Sequence, residues 1–413
     1  MNKLFFFFLC TPLLFFAQSR QLKKADKLFK AQQYTEAAKL YADAPEIESN
    51  KTARTKLAYC YLQNNRTEAA ETIYAALIDQ PRLRAETFFH YAETLRANGK
   101  YAEAKRFYDH YRELEPDDER SYLALDALRA LENLEPMFPG TRVTVFSHNT
   151  DADDSTPILL GDRLYFSSDR NPGAKMLKQR SGWTGRDYLR IYACERRAGG
   201  GFTAPAEISK LNELNKNVGN PSFTADGTRI FFTKNAQRTS KRGVLNMQLY
   251  TAVRDHKQDA WRDVEVLPFC SPEYTFMHPA VSPDGKTLFF VSDKPGSEGG
   301  TDIWWVRKRS DGSWGRSRNL GPMVNTVANE GYPFFGADGK LYFCSKGHPG
   351  YGGFDIFCTQ LDLHTDAWTT PVNLGHPINS SRDDISFYLG ADGRSGLFSS
   401  ARGGADDDIY LFE

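Results

Sequence analysis

YPFFGADGKLYFCSKGHPGYGGFDIF, from Tyr332 to Phe357, divides into three strand-sized pieces. Tyr332 to Phe335 runs into a turn at Asp338-Gly339, Lys340 to Cys344 runs out of it, and a glycine-rich loop leads to Phe354-Asp-Ile-Phe357. The Asp-Gly pair supplies the positive φ that a tight hairpin requires. The flanking residues are aromatic, as strands buried on both faces require.

The unit recurs. HPAVSPDGKTLFFVSDKPGSEGGTDIWW ends at Trp305, and DDISFYLGADGRSGLFSSARGGADDDIY ends at Tyr410. NPSFTADGTRIFFTKNA begins at Asn220 and is completed, after a longer loop, by MQLY ending at Tyr250. Asp154 to Tyr192 is the most degraded copy, with Leu160-Gly-Asp162 at its turn. The turn aspartates fall at 226, 284, 338 and 392, steps of 58, 54 and 54. A second element, Trp314 to Asn319-Leu-Gly, repeats 54 residues later as Trp368 to Asn373-Leu-Gly. Four strand-like pieces at this period predict a β-propeller. Arg142 to Phe146 is a strand with no unit before it, and the last unit lacks a fourth piece. Pairing the two closes a five-bladed ring over residues 142–413.

The pattern F-x-x-D-G-K-x-L-[YF]-F-x-S…G-G-x-D-I-[YW] resembles the WD40-like (PD40) repeats of TolB-type propellers. With what precedes it, the chain resembles bacterial envelope proteins of the Bacteroidetes kind that join tetratricopeptide repeats (TPR) to such a propeller, often followed by an OmpA-like domain. Some members of that family belong to the type IX secretion and gliding machinery. The resemblance implies partners among envelope proteins and a periplasmic, outer-membrane-associated or cell-surface location. The chain stops at Glu413 without an OmpA-like stretch, so peptidoglycan binding is not expected.

Residues 20–135 carry a helical period instead. Ala58, Tyr61, Asn65, Ala70 and Tyr74 recur 34 residues later as Ala92, Leu95, Gly99, Ala104 and Tyr108, and Ala25, Leu28, Gln32, Ala37 and Tyr41 fit the same template. Small residues where two helices touch, and tyrosines filling the gap to the next, are the code of a TPR solenoid. Three such units are expected, with Pro116 ending the third and Asp117 or Asp118 capping a last helix that closes the stack. Residues 136–141 read as a short, stiff linker.

At the N-terminus, Asn2-Lys3 followed by the apolar run Leu4 to Phe16 reads as an export signal over residues 1–17, cleaved before Gln18. The run is shorter than the ~20 residues of a membrane span, so no transmembrane segment is expected after cleavage. Leu9 before Cys10 does not fit a lipobox. Basic and acidic residues balance at 52 each, and nothing points to a nucleic-acid partner.

Candidate chemistry is sparse. The odd set Cys60, Cys194, Cys270, Cys344 and Cys358 cannot pair completely and matches no zinc spacing. These cysteines read as small hydrophobes, with one disulfide left open by an oxidising compartment. Asp302, Asp355 and Asp408 follow glycine-rich loops and read as carboxylates accepting N–H bonds from those loops, with calcium ligation as the alternative. Neither a nucleophile elbow, a zincin motif nor a phosphate-binding glycine loop occurs, and no cofactor or metal is expected. Two surfaces remain. Asp154, Asn220, His278, Glu330 and Asp383 precede the innermost strands and are expected to face the central channel. Tyr59, Gln63, Phe89, Glu93 and Arg96 lie by position on the concave side of the solenoid. The expected protein is a non-enzymatic exported scaffold. The alternative is a carbohydrate-active or glycan-binding propeller using the channel-mouth carboxylates.

Overall fold

The computed structural model describes residues 11–170, 181, 184–208, 210–255, 257, 259–362, 364, 365 and 367–413, with side chains from Arg20 onward. Most of the export-signal reading, including Cys10, lies outside the described residues. Contacts divide the chain into two compact units: the main division falls between Ser121 and Tyr122, inside the last helix, and the described residues among 178–186 count with the first unit.

The first unit is built from helical hairpins: α1 (Thr11–Lys30) with α2 (Tyr34–Ala42), α3 (Lys51–Leu62) with α4 (Thr67–Ala75), and α5 (Ala85–Ala97) with α6 (Tyr101–Leu114). α7 (Glu119–Ala130) follows, its first turn capped by Asp118, whose carboxylate accepts the Arg120 N–H at 2.9 Å. The alanines of the repeat code, Ala25, Ala58, Ala92, Ala37, Ala70 and Ala104, are fully buried, and so are Tyr41 and Tyr74 and Tyr108. Only a methyl fits where two helix backbones approach this closely, so the code is a packing requirement. α1, α3 and α5 each end near a residue in the left-handed region, Gln32, Asn65 and Gly99, which reverses the chain into the following helix.

The second unit is a five-bladed propeller. Each blade has an inner strand, a second and third strand in antiparallel order, and an outer strand that is short in every blade but the second, where it runs Ala260–Val266. The inner strands are Asp154–Leu160, Val218–Phe223, Phe276–Val281, Glu330–Phe335 and Asp384–Leu389, and each neighbours the next around the ring. Blade one takes the most degraded copy, as expected, with the left-handed turn glycine at Gly161 instead of after an aspartate. In the other four, Gly227, Gly285, Gly339 and Gly393 have φ between 65° and 79°. The turn aspartates accept the N–H two residues on, Asp338 from Lys340 for example at 3.3 Å.

The ring closes as the sequence implies. Val143–Val145 pairs antiparallel with Asp408–Phe412, Val143 opposite Phe412 and Val145 opposite Tyr410. The segment 136–141 is less a linker than an anchor. Met137 N–H donates to Leu374 O at 3.0 Å, and the Phe138 ring packs on Phe387 and Phe412. Five apolar clusters, one per blade interface, hold the ring, each fully burying large side chains such as Phe166, Phe232, Phe290, Phe343 and Phe398. At about 1.5–3 kcal/mol per buried side chain, this term dominates the ring's stability.

Candidate functional site

The innermost strand of every blade carries a bulge at its third residue. The ladder shifts between Ser155 and Ile158, Gly219 and Ser222, Met277 and Ala280, Gly331 and Phe334, and Ile385 and Tyr388. The bulged residues Thr156, Asn220, His278, Tyr332 and Ser386 all have φ between 48° and 55°. A positive φ is costly for non-glycine residues, above all for threonine, so five in register mark a required geometry. In four blades proline follows (Pro157, Pro221, Pro279 and Pro333), a residue that suits a position where no ladder N–H is needed.

The bulge turns each N–H out of its own sheet and toward the previous blade. Asn220 donates to Ser167 Oγ at 2.9 Å, His278 to Thr233 Oγ1 at 3.0 Å, and Thr156 to Ser399 Oγ at 3.2 Å. Ser386 donates to the Cys344 thiol, which takes a hydroxyl's place and is fully buried. Blade three has Val291 at that position, and there His278 Nδ1 accepts the Tyr332 N–H instead, at 3.2 Å. A ring of inter-blade hydrogen bonds thus encircles the axis. The five bulged residues line an axial pocket of about 50 Å³, room for a few waters. His278 stacks on Tyr332 with centroids 3.9 Å apart, and burial pushes its pKa down to about 3. With Nδ1 accepting, the neutral ring carries its proton on Nε2.

Asn220 and His278 line the axial pocket, and the three carboxylates do not. Asp154 and Glu330 begin their strands two residues before the bulge and are 0 % exposed. Asp154 accepts from Thr150 N and Oγ1 at 2.7 and 2.9 Å and from Arg170 at 2.6 Å. Glu330 accepts from Thr326 N and Oγ1 at 2.8 and 2.7 Å and from Ser345 Oγ at 2.7 Å. Asp384, with Ser380 and Arg402, repeats the Asp154 arrangement. A hydroxyl four residues before a carboxylate (Thr150–Asp154, Thr326–Glu330, Ser380–Asp384) is the signal the sequence reading passed over. Among the described residues Glu330 has no guanidinium partner, and burial, with Asp302 adding repulsion, pushes it up to about 7. Asp383 stands one residue outside the strand, where it accepts the Phe354 N–H at 2.7 Å and meets Lys346 at 3.4 Å. Asn217 and Asn329 do the same for Leu189 and Thr301, so Asp383 is one of a set of blade-to-blade links.

The loop aspartates divide. Asp302 accepts the Glu298 N–H at 2.7 Å, and Asp355 accepts those of Tyr351 and Gly352 at 3.1 and 3.0 Å. Asp408 makes no such loop bond, and burial beside Asp154 and Asp153 raises its pKa. No cluster of three or more metal-ligating side chains occurs among the described residues. The five cysteines are free thiols, four buried and Cys270 half-buried. Burial pushes Cys60 and Cys270 up to about 12, far from nucleophilic character.

A second device was also missed. The Asn325 side chain accepts the Ile303 N–H at 2.8 Å and donates to the Ile303 carbonyl at 3.0 Å. Asn379 clamps Ile356, Asn212 clamps Ile191 and Asn149 clamps Ile409 in the same way. The amide imitates a strand where the outer strand is too short to reach. Asn319 and Asn373 of the repeated Asn-Leu-Gly hold these clamps, each at 2.7 or 2.8 Å.

In the solenoid, Tyr59 and Gln63 are half-buried, with Tyr59 packed on Tyr34 and His90. Phe89 and Arg96 are not groove residues, because they are 9 % and 4 % exposed. Phe89 lies among Tyr108, Tyr111 and the Arg120 guanidinium. Arg96 and Glu93 both bond the Tyr108 hydroxyl. Phe89, Glu93 and Arg96, spaced four and three apart on one face of α5, meet the α6 tyrosines Tyr108 and Tyr111 there.

Residues 28–86 match the tetratricopeptide repeat family. No curated protein matches the chain. Among solved structures, the chain is similar to the GH43 β-xylosidase/α-arabinofuranosidase CoXyl43 from a compost microbial metagenome (10 % identity, TM-score 0.43, covering 66 % of this chain and 94 % of that one). It is also similar to MPT-4, a mannose phosphorylase from Leishmania mexicana (12 %, 0.41, 71 % and 93 %). A third is an α-L-arabinofuranosidase from Lactobacillus brevis (12 %, 0.39, 63 % and 91 %). Likeness at this level bears on neither substrate nor chemistry. The chain joins a tetratricopeptide-type helical repeat to a five-bladed propeller.

Proposed function

We propose that the protein is a non-enzymatic scaffold of the bacterial cell envelope, exported and working through protein–protein contacts in the setting of type IX secretion or gliding. Helical-repeat and propeller folds both expose broad surfaces suited to partners. The observation that carries the non-enzymatic part is the placement of the ring carboxylates. Hydrolysis of a glycoside requires two carboxylates free to reach the sugar, one of them ionised. Here Asp154 and Glu330 are spent on holding strand ends, and the axis presents Thr156, Asn220, His278, Tyr332 and Ser386.

Crosslinking and affinity recovery of the full chain from its native host should return envelope proteins. Recovery should be unchanged by Asp383→Asn, and the purified protein should leave a panel of glycans intact. Cleavage that Glu330→Gln or Asp383→Asn abolishes, in protein that still melts like the wild type, would replace the scaffold with an enzyme. Mass spectrometry of the native N-terminus should find Gln18. An acylated Cys10 would contradict the soluble exported form.

A further inference from the structure

The outer half of blade three is unlike the rest of this charge-balanced chain. Its third strand, Asp302–Arg307, meets the outer residues Arg318–Asn319 through a hairpin, with Lys308 opposite Trp314 and Gly315 N–H donating to Arg307 O at 2.8 Å. Lys294, Arg307, Lys308, Arg309, Arg316 and Arg318 line a cavity of about 810 Å³ there. Among the described residues none of these six forms an ion pair, whereas elsewhere in the ring Lys234 meets Glu213, Arg190 meets Glu207 and Arg163 meets Asp259. The nearby carboxylates, Asp311 bonded by Ser313 and Asp284 bonded by Ser282 and Lys286, attract Arg309 and Arg307 from a distance but pair with neither.

Indole rings hold the cations in place. The Arg307 and Arg318 guanidiniums lie 4.6 and 5.8 Å from the centre of the Trp305 ring, Lys308 lies 5.2 Å from Trp314, and Lys294 lies 3.7 Å from Trp304. Two guanidiniums gathered on one indole repel each other, and an anion that joins them relieves this. Lys294, half-buried over Trp304, is pushed down to about 8 by that burial, with Arg316 adding repulsion.

We propose that this rim of blade three binds an acidic peptide segment of a partner protein in extended form. A guanidinium stacked on an indole keeps its N–H edge free to take a carboxylate in two parallel bonds. Arg318 stands opposite Trp305 and Arg307 lies two residues beyond it, so the two are diagonal neighbours ~7–8 Å apart on one face, close to the ~6.6 Å at which an extended peptide presents alternate carboxylates. The half-buried Trp305 offers apolar surface to the intervening side chains, which an inorganic polyanion would leave uncovered. This assigns a partner chemistry to a surface that the scaffold reading does not specify.

The test uses the full chain and a fluorescein-labelled octapeptide alternating glutamate and valine, followed by anisotropy at several salt concentrations. Binding should weaken with salt, and a lysine–valine octapeptide should not bind. R307Q/R318Q should weaken binding tenfold or more. R238Q/R242Q, which removes two exposed arginines elsewhere, should change it less than twofold. All proteins should melt together. Equal weakening by both pairs would reduce the effect to diffuse charge and overturn the site. So would tighter binding of polyphosphate or a single-stranded oligonucleotide that R307Q/R318Q abolishes, or self-association that R307Q/R318Q abolishes. Partner recovery from the native host that is unaltered by R307Q/R318Q would remove the rim while leaving the scaffold standing.

Discussion

Two buried side chains set testable limits on the stability of the chain. Glu330 has an ordinary value of 4.5 and is held near 7 in the folded ring. Between those values the folded state holds more protons than the unfolded one, so its contribution to stability is full below pH 4.5, falls as pH rises, and is gone above 7. Glu330→Gln keeps the protonated shape at every pH. The variant and the wild type should unfold alike in urea near pH 4.5, and the variant should be more stable at pH 7.5 by up to about 3 kcal/mol. A difference independent of pH would mean that the carboxyl does not titrate in this range. In the solenoid, the Tyr41 and Tyr108 hydroxyls bond Asp26 and Glu93, fifteen residues upstream. The corresponding position for Tyr74 is Tyr59, and the Tyr74 hydroxyl is buried without a hydrogen-bond partner. Tyr74→Phe should therefore be neutral or stabilising by about 1 kcal/mol, and Tyr108→Phe should destabilise by about 1–3 kcal/mol because Glu93 loses its partner. Thermal denaturation of both variants decides between this and a uniform role for the repeat tyrosines.

At the level of the strand, the asparagine clamps explain why the outer strands can be so short. Leu320 also donates to the Ile303 carbonyl, so removing Asn325 orphans only the Ile303 N–H. Asn325→Ala should cost about 1–3 kcal/mol, the usual penalty for one buried unpaired group. Hydrogen exchange should show the Ile303 amide losing protection while the second strand, Thr287–Ser292, keeps its own. The repeat period, the Asp-Gly turns and the Asn-Leu-Gly element were all legible because each is fixed by local backbone conformation. The register at the axis was not. The bulge moves the axial residue two places past the strand's first residue, and a side-chain period of two gives no warning of it. The X-Pro pairs at Thr156, Asn220, His278 and Tyr332 were the available mark. Counting from the strand starts instead reached Asn220 and His278 and gave Asp154, Glu330 and Asp383 the places that Thr156, Tyr332 and Ser386 occupy.

The molecule as a whole was the most legible part, because number of copies, period and unmatched end pieces leave few ways to close a ring. Closure also makes the strongest demand on the fold. Deleting residues 136–148 would remove Met137 and Phe138 from the last blade's core and leave Asp408–Phe412 as a bare edge. A chain beginning at Asp151 should melt lower and less sharply than one beginning at Pro136, and should aggregate on heating. Equal melting of the two would show that the strand is decoration. The same pairing fixes an order of events during synthesis. Val143–Val145 leaves the ribosome before any blade exists, and its strand partner among the described residues, Asp408–Phe412, is made only after all the intervening blades. For the whole interval of translation between them, this strand must wait unpaired while blades one to four assemble one after another from local hairpins. Ring closure is thus a late, long-range step, slow by the separation of its partners. A holding factor, or passage across a membrane in the unfolded state, would protect the waiting edge from the wrong neighbour.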